Sequence, residues 1–228
     1  MSIKVKNLSV SFKNGVKAVN HVDLEIDTGV YGLLGENGAG KTTLMRVLTT
    51  ILKPTKGMVS LNGILYNEAN YEKIQKKIGY LPQELNLYPN LTVCECLQYM
   101  GELAGIPKKK CGKRIEYYLE KTNLAEQQKK KIKQLSGGMK RRVGLIQAVL
   151  NDPEFLIIDE PTSGLDPEER IRFRNILSDI SDKDSIIILS THIVGDISST
   201  CKKLALLNCG ELKFEGSPDE MINLARGK

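Results

Sequence analysis

A lysine, two threonines and a run of glycines stand together at Gly35-Glu36-Asn37-Gly38-Ala39-Gly40-Lys41-Thr42-Thr43. The spacing G-x-x-x-x-G-K-[ST] cradles phosphates: bare backbone amides point at anionic oxygens, the lysine reaches the outer phosphates and the hydroxyl takes Mg²⁺. Lys41 is therefore the candidate charge and Thr42 the candidate metal ligand. Gly35, Asn37, Gly38, Ala39, Gly40 and Thr43 complete the cradle. A glycine-rich turn can match this spacing by accident, but the flanks argue against it. Val30-Tyr31-Gly32-Leu33-Leu34 reads as a buried strand, and Leu44, Leu48 and Ile51 recur at helical spacing over Lys41 to Leu52. Strand, glycine loop and helix N-terminus together make an anion site.

Two more groupings carry chemistry. Phe155-Leu156-Ile157-Ile158 is a short apolar run ending in Asp159-Glu160-Pro161. A buried strand delivers carboxylates where open α/β sheets bind ligands. Asp159 is placed to hold Mg²⁺ and Glu160 to orient or deprotonate a water. Alone, an acidic turn after a strand is the equally plain reading. Leu135-Ser136-Gly137-Gly138 opens a helix from Met139 to Leu150 with Met139, Val143, Ile146 and Leu150 on one apolar face. Ser136 sits at the N-cap, and Gly137 and Gly138 leave first-turn amides open to an anion.

The Ser136 run matches the signature of the ATP-binding-cassette (ABC) ATPases, and from there the resemblance covers almost the whole chain. The sequence resembles a nucleotide-binding subunit of an ABC transporter. By that resemblance Gln83, in Gly79-Tyr80-Leu81-Pro82-Gln83, contacts Mg²⁺ and the attacking water and touches a membrane partner. Ser163-Gly164-Leu165-Asp166 matches the loop that crosses a dimer interface. His192, in Leu189-Ser190-Thr191-His192, matches the switch histidine that bonds the γ phosphate, and Phe12 the aromatic that stacks on adenine. Taken singly, Gln83 could be any polar loop residue, Phe12 a core aromatic and His192 a structural histidine; order and spacing lift them. Met139 stands where the signature often has Gln, and Glu36 where many relatives have Pro. Neither position supplies an essential group, although Glu36 sets a negative charge near the phosphates. The Met139-Lys140-Arg141-Arg142 variant resembles cassettes of the drug, bacteriocin and ion exporter branch.

The remaining elements must position these groups. Ile3 to Phe12 and Val22 to Ile26 read as antiparallel edge strands, Met58 to Leu61 as a strand before an Asn62-Gly63 turn, and Ile78 to Leu81 as a core strand. Leu91 to Leu103 and Lys113 to Lys121 are helical, and no strand signal appears between Glu84 and Asn151. Core strands resume at Phe155, Ser185 and Leu204; Lys213 to Gly216 and a helix from Pro218 close the chain. The expectation is an α/β, P-loop NTPase core: a mixed, largely parallel sheet with an antiparallel β edge subdomain and an inserted helical subdomain. It reads as a single ABC ATPase domain over 1–228, with core 1–84 and 152–228 and the helical subdomain at 85–151.

Composition agrees. The chain has 228 residues, 41% hydrophobic and 26% charged, with a net charge of +6. No apolar run approaches the ~20 residues of a membrane helix, and Met1-Ser2-Ile3-Lys4-Val5 alternates like a strand rather than a signal peptide. A cytoplasmic protein, peripheral on the inner face of the cell membrane through its permease, is expected. Lysines cluster at 108–110 and at 129, 130, 131 and 133 without interleaved aromatics, so they read as a solvated face, with anionic lipid as the minor alternative and no nucleic acid expected. Cys94, Cys96, Cys111, Cys201 and Cys209 contain no C-x-x-C and read as reduced thiols, with Cys94 and Cys96 on different sides of one helix.

By resemblance, then, the chain is an ATP-hydrolysing motor subunit. Two copies, or one and a paralogue, would pair head to tail around two ATP with Mg²⁺, each ATP between Lys41 of one chain and Ser136 of the other, driving a separate permease, more plausibly in export. The alternatives are a soluble ABC ATPase of repair or chromosome structure, a tandem-cassette translation factor, and a non-hydrolysing ATP sensor; the short helical insertion, the single cassette and the presence of Glu160 with His192 argue against each in turn. The loop Glu84-Leu85-Asn86-Leu87-Tyr88-Pro89 is a candidate permease contact, unless its apolar residues pack inward.

Overall fold

The computed structural model describes residues 1–180, 185–193, 195, 197 and 200–226. Its strands are β1 (Ser2–Ser11), β2 (Lys17–Asp27), β3 (Gly29–Leu34), β4 (Lys56–Leu61), β5 (Ile64–Leu65), β6 (Ile78–Leu81), β7 (Phe155–Ile158), β8 (Ile186–Thr191), β9 (Lys203–Asn208) and β10 (Glu211–Gly216). Its helices are α1 (Lys41–Leu48), α2 (Tyr71–Gln75), α3 (Val93–Leu103), α4 (Lys108–Lys121), α5 (Gly137–Val149), α6 (Pro167–Ile180) and α7 (Pro218–Arg226). They build an α/β fold on two sheets. One is antiparallel, in the order β2-β1-β4-β5. The other, β10-β9-β3-β8-β7-β6, is parallel except for the β9–β10 hairpin at its edge.

The large sheet is apolar on both faces because both are covered. Along β7 and β8, Phe155, Ile157, Ile186 and Ile188 point to a core shared with the small sheet and α1. Their neighbours Leu156, Ile158, Ile187 and Leu189 point the other way, onto α5 and α6. A third core lies among the helices: Val93, Cys96 and Leu97 of α3, Cys111, Ile115 and Leu119 of α4, and Val143, Ile146 and Leu150 at α5. Helix α5 thus serves two cores with two stripes. The stripe from Met139 to Leu150 faces α3 and α4, while Leu145, Ala148 and Val149 face the sheet.

Several boundaries differ from the sequence reading. Helix α1 stops at Leu48, not Leu52, because Thr50 takes a left-handed φ of 64°. Ile51 is therefore 63% exposed rather than part of the apolar face. Strand β1 ends at Ser11, and Phe12 sits in a turn closed by its own backbone bonds to Val16 and Gly15. Helix α4 takes in Lys108–Lys110, so the first lysine cluster is a helical N-terminus, with all three exposed. Helices α2 and α6 fall outside the elements that the sequence pattern announces. The 85–88 loop divides: Leu85 and Leu87 pack inward, while Tyr88 stays exposed, edge-on to Tyr99 with ring centroids 5.1 Å apart.

Candidate functional site

The loop between β3 and α1 bends where only glycine fits. Gly35 and Gly40 have φ of 154° and 105°. A Cβ at Gly40 would lie 2.3 Å from the Ala18 carbonyl, and one at Gly35 2.5 Å from that of Leu207. Backbone packed this closely brings the loop onto the N-terminus of α1. That terminus starts at Lys41 with no side-chain cap and no acidic residue in its first turn, so its potential is free to meet an anion. A cavity of about 410 Å³ opens here, lined by Ala18, Glu36, Asn37, Gly38, Gly40, Lys41, Thr42, Thr43, Gln83 and Glu160.

Lys41 is buried at its floor. Its ammonium donates to the Gly35 carbonyl at 2.5 Å and that of Glu36 at 3.2 Å. It also forms an ion pair with Glu160 Oε1 at 3.2 Å, without hydrogen-bond alignment. Glu160 Oε2 lies 2.9 Å from His192 Nδ1. The Glu160 carboxylate therefore stands between a buried cation and an imidazole that is 45% exposed.

The turn after β7 aims that carboxylate. Glu160 adopts a left-handed φ of 46°, a conformation that side chains other than Gly hold only under constraint from their surroundings. Ser190 of β8 supplies part of it: its hydroxyl accepts from the Glu160 N–H at 2.9 Å and donates to Asp159 Oδ1 at 2.6 Å. Asp159 Oδ2 is buried with no protein partner. Among the described residues no group of three or more His, Cys, Asp or Glu could hold a metal; the donors on hand are the Asp159 carboxylate, the Thr42 hydroxyl and the Gln83 amide oxygen. Those are hard oxygen donors, the set Mg²⁺ prefers.

Not every sequence candidate meets at this cavity. Asn37, Gly38, Gly40, Lys41, Thr42, Thr43, Gln83 and Glu160 do; Gly35, Ala39, Asp159, His192, Ser136, Gly137, Gly138, Asp166 and Phe12 are not among its walls. Ser136 is the N-cap of α5, its hydroxyl accepting from Met139 N at 3.2 Å. Gly137 has open space about it, while Gly138 lies under the Glu169 carboxylate. Asp166 accepts from Glu169 N at 2.8 Å at the start of α6. Phe12 is 44% exposed. Cys94 is partly exposed and Cys96 buried, on different sides of α3 as expected.

Sequence reasoning passed over Arg141 and Ser190. In the sequence Arg141 stands only as part of a signature variant, yet it is 6% exposed and donates to four backbone carbonyls around the site. A signal was available: residues 141, 145 and 148 share one helical face, so Arg141 lies on the stripe that Leu145 and Ala148 bury. For Ser190, alternation along an all-buried strand gives no such sign.

Comparison with known proteins identifies the family. The ABC transporter family model matches residues 19–163. An uncharacterized ABC transporter ATP-binding protein of Methanocaldococcus jannaschii is 36% identical over 220 residues, covering 96% of this chain and 79% of that protein. A Nod factor export ATP-binding protein of Cupriavidus metallidurans is 35% identical, covering 90% of this chain and 68% of that one. A methionine import ATP-binding protein of Shouchella clausii is 36% identical, covering 94% and 65%. Among solved structures, cbiO1 of Clostridium perfringens, part of the ABC transporter complex cbiONQ, superposes with a TM-score of 0.88 at 26% identity, covering 99% of this chain and 92% of its own. A dimeric ATP-binding cassette in a post-hydrolysis state, bound to ADP and Pi, superposes with a TM-score of 0.85 at 26% identity, covering 95% and 98%. With the family model matching residues 19–163 and relatives of about 36% identity covering nearly all of it, the chain belongs to the ABC transporter ATP-binding family and is an ABC ATPase.

Proposed function

We propose that this ATPase works as the motor of an exporter, pairing head to tail with a second copy or a paralogue around two ATP and driving a separate membrane permease. The observation that carries the hydrolytic reading is the Glu160 carboxylate, held between Lys41 and His192 at the phosphate cavity. The phosphates of ATP lie along the Gly35–Thr43 loop, where Lys41 and the α1 amides meet their charge. Water attacks the γ phosphorus, the bond to the bridging oxygen of ADP breaks, and the proton leaves to Glu160. His192 braces Glu160 and bonds the γ phosphate. Thr42, Asp159 and Gln83 would hold Mg²⁺, which when bound neutralises charge on the β and γ phosphates; the unpartnered Asp159 Oδ2 supports that role.

Pairing is supported by the distribution of the motifs. Ser136 and Gly137 are exposed and lie outside the Lys41 cavity, so they are available to the ATP of a partner, as the head-to-tail resemblance requires. Phe12 is exposed enough to stack on adenine, and the Ser163–Asp166 loop runs along the interface. The helices of 85–151 form the part that answers to the permease, with Tyr88 on its exposed side. The kinship with cbiO1, part of the ABC transporter complex cbiONQ, supports a separate membrane subunit and a cytoplasmic place beside it; no helix among the described residues is long and apolar enough to cross a membrane. Export rests on the Met139–Arg142 variant, since the relatives include proteins named for export and for import.

Glu160→Gln tests the reading. It keeps size but removes the base, and steady-state turnover should fall by ~10²–10⁴-fold. ATP binding should persist, and gel filtration in ATP should show a stable dimer. Turnover near wild type would overturn the role given to Glu160.

A further inference from the structure

The guanidinium of Arg141 bonds to two loops at once. Its Nη1 donates to the Pro82 and Gln83 carbonyls at 2.7 and 2.8 Å, its Nη2 to the Asp159 carbonyl at 2.5 Å, and its Nε to the Pro161 carbonyl at 3.1 Å. We infer that Arg141 is the positioning residue for ATP hydrolysis in its own chain, clamping the Gln83 loop to the Asp159–Pro161 turn so that Glu160 leaves the backbone in one direction. This rests on the hydrolytic role proposed for Glu160.

The peptide joining Asp159 to Glu160 is held on both edges. Arg141 takes its carbonyl and the Ser190 hydroxyl takes its N–H. The residue that follows is the one at a φ of 46°. Free rotation of that peptide would swing the Glu160 carboxylate out of the gap between Lys41 and His192. The planar fork of arginine suits this task, because its donors diverge at fixed angles and can span two chains. Burial draws the Arg141 pKa down to about 10, although Asp159 and Glu160 pull it upward. An apolar residue would pack on the stripe of Leu145 and Ala148 without that cost. The adjacent Arg142 does the ordinary work of joining helices: it donates to the Thr122 carbonyl after α4 and lies 3.6 Å from Glu169 of α6. Among the described residues the Arg141 guanidinium bonds loop carbonyls and no other helix.

The test uses the full chain with Arg141→Lys and Arg141→Met. A single ammonium cannot reach both loops, and Met keeps length without donors. In both, kcat should fall about 10²-fold, as a displacement near 1 Å of a reacting group costs. KM and the affinity for a fluorescent ATP analogue should stay within about 3-fold, because the Lys41 cradle is untouched. In a Glu160→Gln background, adding Arg141→Lys should lower the residual rate by less than about 3-fold, since the group it positions is gone. A folded Arg141→Lys protein with kcat within about 3-fold of wild type overturns the inference. So does an undiminished 10²-fold loss in the Glu160→Gln background. If Arg141→Met does not fold, the lysine variant, which keeps charge and length, decides alone. Normal turnover in Glu160→Gln itself would instead defeat the hydrolytic reading, leaving the clamp a structural tie.

Discussion

Ser190→Ala should be among the costliest single-atom changes in this chain. The side chain is fully buried, and its hydroxyl makes two bonds, donating to Asp159 Oδ1 and accepting from Glu160 N. A hydrogen bond to a charged group is worth about 1.5–3 kcal/mol, and a buried N–H left without a partner costs about 1–3 kcal/mol. Since Asp159 Oδ2 already has no protein partner, alanine strips the buried carboxylate of its bond to Ser190. The two terms sum to about 4 kcal/mol, a large share of the ~5–15 kcal/mol that stabilises a typical domain. Urea unfolding followed by tyrosine fluorescence measures it, as the chain has eight tyrosines and no tryptophan. The slope with urea should not change, because no additional surface is exposed. In an Asp159→Ala background the same substitution should cost only the N–H share, about 1–3 kcal/mol. A cost below about 1 kcal/mol, or an equal cost in both backgrounds, would refute the reasoning.

Two other predictions concern parts away from the site. At Gly101 of α3 an added Cβ would meet Cys111 Sγ of α4 at 2.2 Å, so Gly101→Ala should cost about 1–3 kcal/mol; combining it with Cys111→Ala should cost clearly less than the sum of the two, and strict additivity in urea unfolding would show that the helices do not meet there. Burial pushes the Cys201 thiol from 9.0 up to about 12. The unfolded chain then releases this proton first, so stability should fall as pH rises through that window, with a slope of up to about 1.4 kcal/mol per pH unit; Cys201→Ala should remove that part of the alkaline slope, and an unchanged slope would contradict it.

The sequence by itself determined whatever chemistry is written locally. The phosphate loop was legible because glycines at 35 and 40 answer a backbone demand that no other residue meets, and Asp159 because an apolar run delivered it. The buried strands of the large sheet were legible because burial on both faces leaves continuous apolar runs. Tertiary structure decided what depends on neighbours distant along the chain. Helix α1 ends early through a left-handed Thr50, which no periodicity announces. Leu85 and Leu87 turn inward while Tyr88 does not, because the helical core and the sheet-facing core take one leucine each. Arg141 reads locally as one more basic residue on a basic helix; it becomes a clamp because folding brings the carbonyls of two distant loops within reach of a single guanidinium. Hydrogen-bond partners of that kind are set by packing in three dimensions, and a one-dimensional pattern records only that the residue lies on a buried face.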